Sequence, residues 1–293
     1  MSLIIAILEQ GLIYGILGMG VYITYKILDF PDLTVDGSFP LGAAITAILI
    51  VNDVNPYIAL PISFLAGMLA GAITGGIHVF FKVRDLLSGI IMMTALWTIN
   101  LLIAGTSNVP IFSKETIFRN ETLQNVVPEG ISSYTKLMII VIIVVIVKIL
   151  LDMYLATKSG FLLRAVGDND TLVTTLAKDK GKVKILGLSL ANGLVALAGG
   201  LFCQEQRTFE ISIGTGAIVI GLASVIIGTS LFKRITFLKA TTAVIIGSVL
   251  YKACVALAIR NFEPQWMKLI TAVLFTIILV VSMDRKKKVK ANA

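Results

Sequence analysis

The chain has 293 residues, of which 57% are apolar and 14% charged, and its formal net charge is +8. Several apolar stretches reach about twenty residues, the length that a helix needs to cross a hydrocarbon core, whereas runs such as Leu137 to Leu151 lack the alternation of a membrane β-barrel. Because the basic residues cluster in short links and in the tail, they indicate orientation in a lipid bilayer and no nucleic-acid partner. We predict an all-α polytopic membrane protein in one transmembrane domain, residues 1–293.

The N-terminal part combines a glycine-rich span with a broken one. The first span is predicted from about Ile4 to Ile27. A polar stretch with three aspartates and two prolines follows, and it leads into a short apolar piece from about Leu41 to Val51. This second segment is either a tilted span or a re-entrant half-helix. The first alternative gives nine spans and an outside N-terminus, and the second gives eight spans and an inside N-terminus.

A third span is predicted from about Tyr57 to Phe81. Three glycines recur in it at four-residue spacing, namely Gly67, Gly71 and Gly75. Such a ridge of small residues favours packing against a neighbouring helix, within the chain or between two copies of it. Six further apolar spans are predicted at about 86–104, 136–156, 183–203, 213–232, 237–258 and 266–283.

A polar segment, Lys158 to Lys184, interrupts the apolar runs after the fifth span. Phe161 to Val166 can form a short helix, and Gly167 is expected to end it because glycine takes the left-handed C-terminal position at no steric cost. Asp168 to Asp170 offer N-caps for a second short helix, which the charged run Lys178 to Gly181 would stop. The segment is therefore predicted to be a compact helix pair outside the bilayer.

The orientation follows from the basic residues. The tail, residues 284–293, holds one arginine and four lysines, so the C-terminus is predicted to be cytoplasmic. Counting back span by span places the polar segment and the links 82–85 and 233–236 on the same side. The links predicted to face outside are 52–56, 105–135, 204–212 and 260–264.

No catalytic set or metal site is predicted. His78 is the only histidine, so mechanisms that pair a nucleophile with a histidine, or that need a histidine cluster, lack their residues. The two cysteines form neither a metal motif nor a disulfide framework. The sequence contains no Gly-x-x-x-x-Gly-Lys-Ser/Thr motif, so any ATP would be hydrolysed on another subunit.

Polar groups at membrane depth are the remaining candidates for functional residues, because they are costly there and tend to face a cavity or a partner. Hydrogen bonding between helices is an equally open interpretation for each of them. The candidate pathway residues are Asp36, Gly37, Ser38, Asn100, Asn192 and Glu205.

Two stretches carry a family resemblance. The sequence GFLLRAVGDN, Gly160 to Asn169, followed by LGLSLANGLVALAGGL, Leu186 to Leu201, resembles the core of bacterial ABC-importer permeases of the branched-chain amino acid and ribose type. The sequences DLTVDGSF, Asp32 to Phe39, and SGIIMMTAL, Ser88 to Leu96, are similar to the branch associated with tryptophan and tyrosine uptake.

The resemblance implies an importer of a small solute, an amino acid of the aromatic class, that works by alternating access in the bacterial inner membrane. Its partners would be a second copy of the chain, two ATPase subunits that bind ATP and Mg²⁺, and an extracytoplasmic binding protein. The polar segment would contain the coupling helix, with Gly160, Leu163, Arg164, Ala165, Gly167, Asp168 and Asn169 at the ATPase. The alternative is an ion-coupled carrier or channel that works alone.

Overall fold

The computed structural model describes residues 2–120, 132–168, 179–233, 235, 238–259, 269, 271–273 and 275–280. Most of these residues are helical. The helices are α1 (Ser2–Val21), α2 (Val35–Val51), α3 (Pro56–Phe80), α4 (Asp85–Ala104), α5 (Ser132–Leu155), α6 (Lys158–Asp168), α7 (Lys180–Gln206), α8 (Ala217–Leu231) and α9 (Ala240–Ile259). A π-helical turn, Tyr22–Ile27, extends α1, and a 3₁₀ turn, Ile211–Gly214, precedes α8.

Seven helical stretches of the described chain are long and apolar enough to cross a membrane, and Val35–Val51 and Thr271–Val280 are shorter apolar helices. The predicted all-α polytopic class is therefore confirmed. The predicted third and fourth spans agree with α3 and α4 to within one residue at each end. Long apolar runs predict such elements well because both the bilayer and the helix impose a length.

Helix α2 begins at Val35, six residues before the apolar piece predicted from Leu41, so that boundary was wrong. Pro40 lies inside α2, where it lacks the N–H that would bond to the carbonyl of Asp36. Gly214 lies against that carbonyl.

Helix α7 forms the centre of the bundle and is the most buried of the spanning helices. The glycine ridge of α3 lies along it, with Gly67 against Asn192 and Ala196, Gly71 against Leu188, and Gly75 against Ile185. Helix α2 also packs on α7, and Gly42 there meets the carbonyl of Ala196. A methyl group at Gly42, Gly67 or Gly71 would overlap backbone atoms of α7, so these three helices approach each other at backbone distance.

Of the links predicted to lie outside, 52–56, 204–212 and the described part of 105–135 meet at one end of the bundle, and 260–264 lies outside the described residues. Two short strands, β1 (Asn108–Pro110) and β2 (Thr208–Glu210), pair antiparallel there. Lys114 Nζ donates to Asp53 Oδ1 over 2.6 Å, which joins the link after β1 to the link after α2. Helix α6 lies at the opposite end, against the last residues of α5 and of the π-helical turn.

Candidate functional site

The non-helical stretch before α2 places polar side chains in the bundle interior. Asn192, midway along α7, donates from Nδ2 to Asp32 Oδ2 over 2.7 Å and accepts at Oδ1 from Ser38 Oγ over 2.7 Å. The backbone N–H of Thr34 donates to Asp32 Oδ1 over 2.9 Å, and the hydroxyls of Thr34 and Thr74 are 2.9 Å apart. All five residues are buried. The network joins the start of α2 to α3 and α7.

Asp32 is the charged member of this network and lies in the link between α1 and α2. Burial raises the pKa of its carboxyl above the usual value, and the hydrogen bonds from Thr34 and Asn192 only partly offset that shift. Sequence analysis did not select Asp32 or Thr34. The only signal was the density of aspartates and prolines in one short stretch, because Asn192, the partner of Asp32, lies 160 residues away and Thr74, the partner of Thr34, lies 40 residues away.

Asp36 joins two broken helices. It lies in the first turn of α2, and its carboxylate accepts the N–H of Gly216 over 3.0 Å and the N–H of Ile218 over 2.8 Å at the start of α8. Helix N-termini carry free N–H groups and partial positive charge. Gly216 takes the left-handed conformation at the N-cap, φ 85°, where a side chain would be strained. One carboxylate therefore serves the N-termini of both α2 and α8.

Asn100 of α4 lies beside the start of α2. Its Nδ2 donates to the carbonyl of Gly37 over 3.1 Å, and its buried Oδ1 has no hydrogen-bond partner among the described residues. A Cβ at Gly37 would lie 2.8 Å from Leu96, so α4 packs tightly across the start of α2. Five of the six candidate pathway residues thus lie in one connected region. They are Asp36, Gly37, Ser38, Asn100 and Asn192.

Glu205, the sixth candidate, lies apart from this region, at the end of α7 near β2. It pairs with Lys136 at the start of α5, and Lys136 also pairs with Glu9 of α1 over 3.1 Å. Both carboxylates are nearly buried. In this structure Glu205 is part of an ion-pair cluster that joins α1, α5 and α7, and sequence analysis missed Glu9 and Lys136.

We expect the Asp36→Asn variant to be destabilised by about 2 kcal/mol, because the two N–H groups of α8 lose a charged acceptor in a half-buried site. Thermal or denaturant unfolding of the purified protein measures this change. The control is Asp53→Asn, where the carboxylate is 81% exposed and the loss should stay below about 0.5 kcal/mol. Equal losses for the two variants would contradict the capping role of Asp36.

Helix α6 carries most of the predicted coupling residues. Leu163 and Val166 are buried, whereas Arg164 is exposed, so α6 has an inner apolar face and an outer charged face. Gly160 lies against the carbonyl of Tyr154 at the end of α5. Ala165 is partly exposed, Asp168 is the last residue of α6, and Asn169 and the predicted second short helix lie outside the described residues.

One expectation about this segment was wrong. Gly167 does not end α6 in a left-handed conformation, because the helix continues through Asp168 and the φ of Gly167 is not positive. Instead Gly167 lies against the carbonyl of Ile27, where a side chain would not fit. Asp179 caps the start of α7, since its carboxylate accepts the N–H groups of Gly181 and Lys182 over 2.9 and 3.3 Å. The second short helix, which the run Lys178 to Gly181 was predicted to stop, lies outside the described residues.

The chain is similar to known proteins over most of its length. A family model described as a branched-chain amino acid transport system permease component matches residues 3–281. The chain is 41% identical to a tyrosine transport system permease protein of Clostridioides difficile, over 100% of this chain and 96% of the relative. It is 33% identical to an uncharacterized protein of Rickettsia prowazekii, over 98% and 99%, and 23% identical to a ribose import permease protein of Escherichia coli, over 96% and 85%. No solved structure matches the chain.

Proposed function

The chain belongs to the family of branched-chain amino acid transport system permease components, and from this premise we propose that it is the membrane-spanning subunit of an ATP-binding-cassette importer for an aromatic amino acid. The observation that carries the proposal is the 41% identity to a tyrosine transport permease over the whole length of this chain. In this proposal separate subunits bind ATP and Mg²⁺, which is consistent with a sequence that contains no P-loop motif.

The proposed assembly contains two copies of this chain, two ATPase subunits and an extracytoplasmic binding protein, in the bacterial plasma membrane. The tail, residues 284–293, and α6 lie in the cytoplasm, because the basic links are expected to stay there. The outer face of α6, including Arg164, contacts the ATPase. Its burial on one side supports this role, since a force applied to α6 would reach α7 through Leu163, which lies against Gly187.

The pathway is assigned to the region where α2 and α8 begin, between the two copies. Broken helices place their N-termini inside the membrane, and such ends are common at transport sites. Asp36, Ser38 and Asn100 are the residues assigned to its wall. A docked binding protein can open this path only if it binds the outward-open state more tightly than the inward-open state.

The proposal is tested in proteoliposomes that contain this chain, the ATPase and the binding protein encoded beside its gene. Uptake of labelled tyrosine should require ATP and all three proteins. Uptake by this chain alone, driven by an ion gradient, would support the secondary-carrier alternative and overturn the importer. A binding protein that is stabilised by a sugar and by no amino acid would overturn the substrate class.

Charge reversal on α6 tests the coupling role. We expect Arg164→Glu to lower ATPase stimulation about tenfold, equivalent to about 1.4 kcal/mol of lost interaction between subunits. Arg164 is a better probe than Gly167, because a side chain at Gly167 would clash with Ile27 inside the permease itself. The matched control is Lys233→Glu, an exposed basic residue beyond α8. Similar stimulation in wild type and Arg164→Glu would contradict the assignment.

A further inference from the structure

A cavity of about 330 Å³ opens at the end of the bundle where α6 lies. It is bounded by the end of α5, the outer face of α6, the start of α9 and the π-helical turn. Its polar wall is formed by Tyr22, Asp152, Arg164, Lys239 and Thr241. The cavity is distinct from the interior network around Asn192 and from the ion-pair cluster at Glu205.

The single carboxylate in this wall is already engaged. Asp152 accepts from Thr241 Oγ1 over 2.7 Å and from Lys148 Nζ over 2.9 Å, and Lys239 Nζ lies 3.3 Å from it. The side chain of Asp152 is only 9% exposed, whereas that of Lys239 is 66% exposed. Two lysines therefore share one carboxylate, and the group as a whole keeps a net positive charge at the cavity.

Arg164 adds a second cation from the opposite wall. It is exposed on α6 and forms no ion pair with any residue that the structure describes. With the hydroxyl group of Tyr22 beside it, the cavity offers two positive charges and one oxygen-bound proton, since Thr241 already donates its own to Asp152. Arginine, lysine and hydroxyl donors are the groups that bind phosphate oxygens in proteins.

An apolar strip on α5 leads to the cavity. Ile142, Val145, Ile149 and Met153 are between 46% and 63% exposed, and their spacing places them on one side of the helix. The strip is about 16 Å long at 1.5 Å per residue, which is comparable to an acyl chain in one leaflet. Phe161, 61% exposed, continues the apolar surface to the rim of the cavity.

We infer that this cavity binds the phosphate of an anionic phospholipid whose acyl chains lie along the α5 strip. The cationic wall recognises the headgroup, and the strip distinguishes a lipid from a free phosphate ion. Because the cavity touches α5, α6 and α9 together, the bound lipid stabilises α6 against the bundle. The inference concerns the permease chain without its ATPase, in which Arg164 is exposed, and in the proposed assembly the ATPase would compete with the lipid for Arg164.

The test uses the purified full-length chain in a neutral detergent. Phosphatidylglycerol, phosphatidylcholine and inorganic phosphate are added separately, binding is followed by thermal unfolding, and retained lipid is counted by native mass spectrometry. Phosphatidylglycerol should raise the unfolding temperature and remain bound, and the other two should not. Equal effects of the two lipids would overturn the headgroup site, and an equal effect of inorganic phosphate would overturn the lipid.

Substitutions in the cavity wall and in the α5 strip test where the lipid binds. Lys239→Gln and Arg164→Gln should each weaken phosphatidylglycerol binding about fivefold, the effect of one cation near a lipid surface. Ile149→Ser should weaken lipid binding as well, although it removes no charge. Lys233→Gln removes an exposed charge of the link before α9 and should leave binding unchanged. A loss as large in Lys233→Gln as in Lys239→Gln would show diffuse attraction and overturn the site.

Discussion

The Gly42→Ala variant is expected not to accumulate as folded protein. The added Cβ would overlap the backbone carbonyl of Ala196 where α2 crosses α7. Neither backbone can move away, because both helices are buried on several sides. We therefore expect the free energy of unfolding to fall by about 3 kcal/mol or more, at the upper end of overpacking costs. The measurements are the yield of monodisperse protein in detergent and its unfolding temperature.

Gly76→Ala is the matched control for this variant. It makes the same substitution in α3, but the new Cβ would lie 3.6 Å from the nearest atom, in the ring of Phe80. Alanine should raise the free energy of unfolding by up to about 1 kcal/mol there, because it is a better helix former than glycine. If both variants unfolded at the same temperature, the close approach of α2 and α7 would be contradicted.

The second large effect is expected for Asn192→Leu, which should lower the free energy of unfolding by about 3 to 5 kcal/mol. The substitution leaves the buried carboxylate of Asp32 and the hydroxyl of Ser38 without the side chain that pairs with both. Unfolding in denaturant measures the loss. Asn52→Leu is the control, since Asn52 is exposed and its amide donates only to the Ile48 carbonyl of its own helix.

A double variant separates the network from simple packing. Adding Asp32→Asn to Asn192→Leu removes the stranded charge, so the double variant should be more stable than Asn192→Leu alone. Such non-additivity is expected only for residues that interact directly. Strictly additive losses would mean that the bond between Asn192 and Asp32 contributes nothing.

The candidate site was partly predictable because polar groups are costly inside a membrane. That cost selected Asp36, Asn100 and Asn192 from one sequence, and the structure brings all three to the start of α2. Their partners could not be predicted in the same way. The bond between Ser38 and Asn192 joins positions 154 residues apart, and no local pattern encodes that distance.

Predictions from local sequence patterns were wrong where a segment far away in the chain packs against the residue concerned. Gly167 satisfies the pattern of a helix C-cap, yet it lies inside α6 because the carbonyl of Ile27 occupies the space that a side chain would need. The short apolar piece was predicted from about Leu41, after the polar stretch, yet α2 begins at Val35. In both cases tertiary packing overrode a local sequence pattern.

The sequence by itself determined the helical, multi-pass architecture, since a hydrocarbon core demands long apolar runs with internally bonded backbones. It also determined that the glycines of α3 share one helix face, because four-residue spacing does so in any helix. Only the tertiary structure decided which surface that face meets, which carboxylate caps α8, and where Arg164 and Lys239 share a cavity. Those outcomes depend on how the helices pack, and contacts between residues far apart in the chain determine that packing.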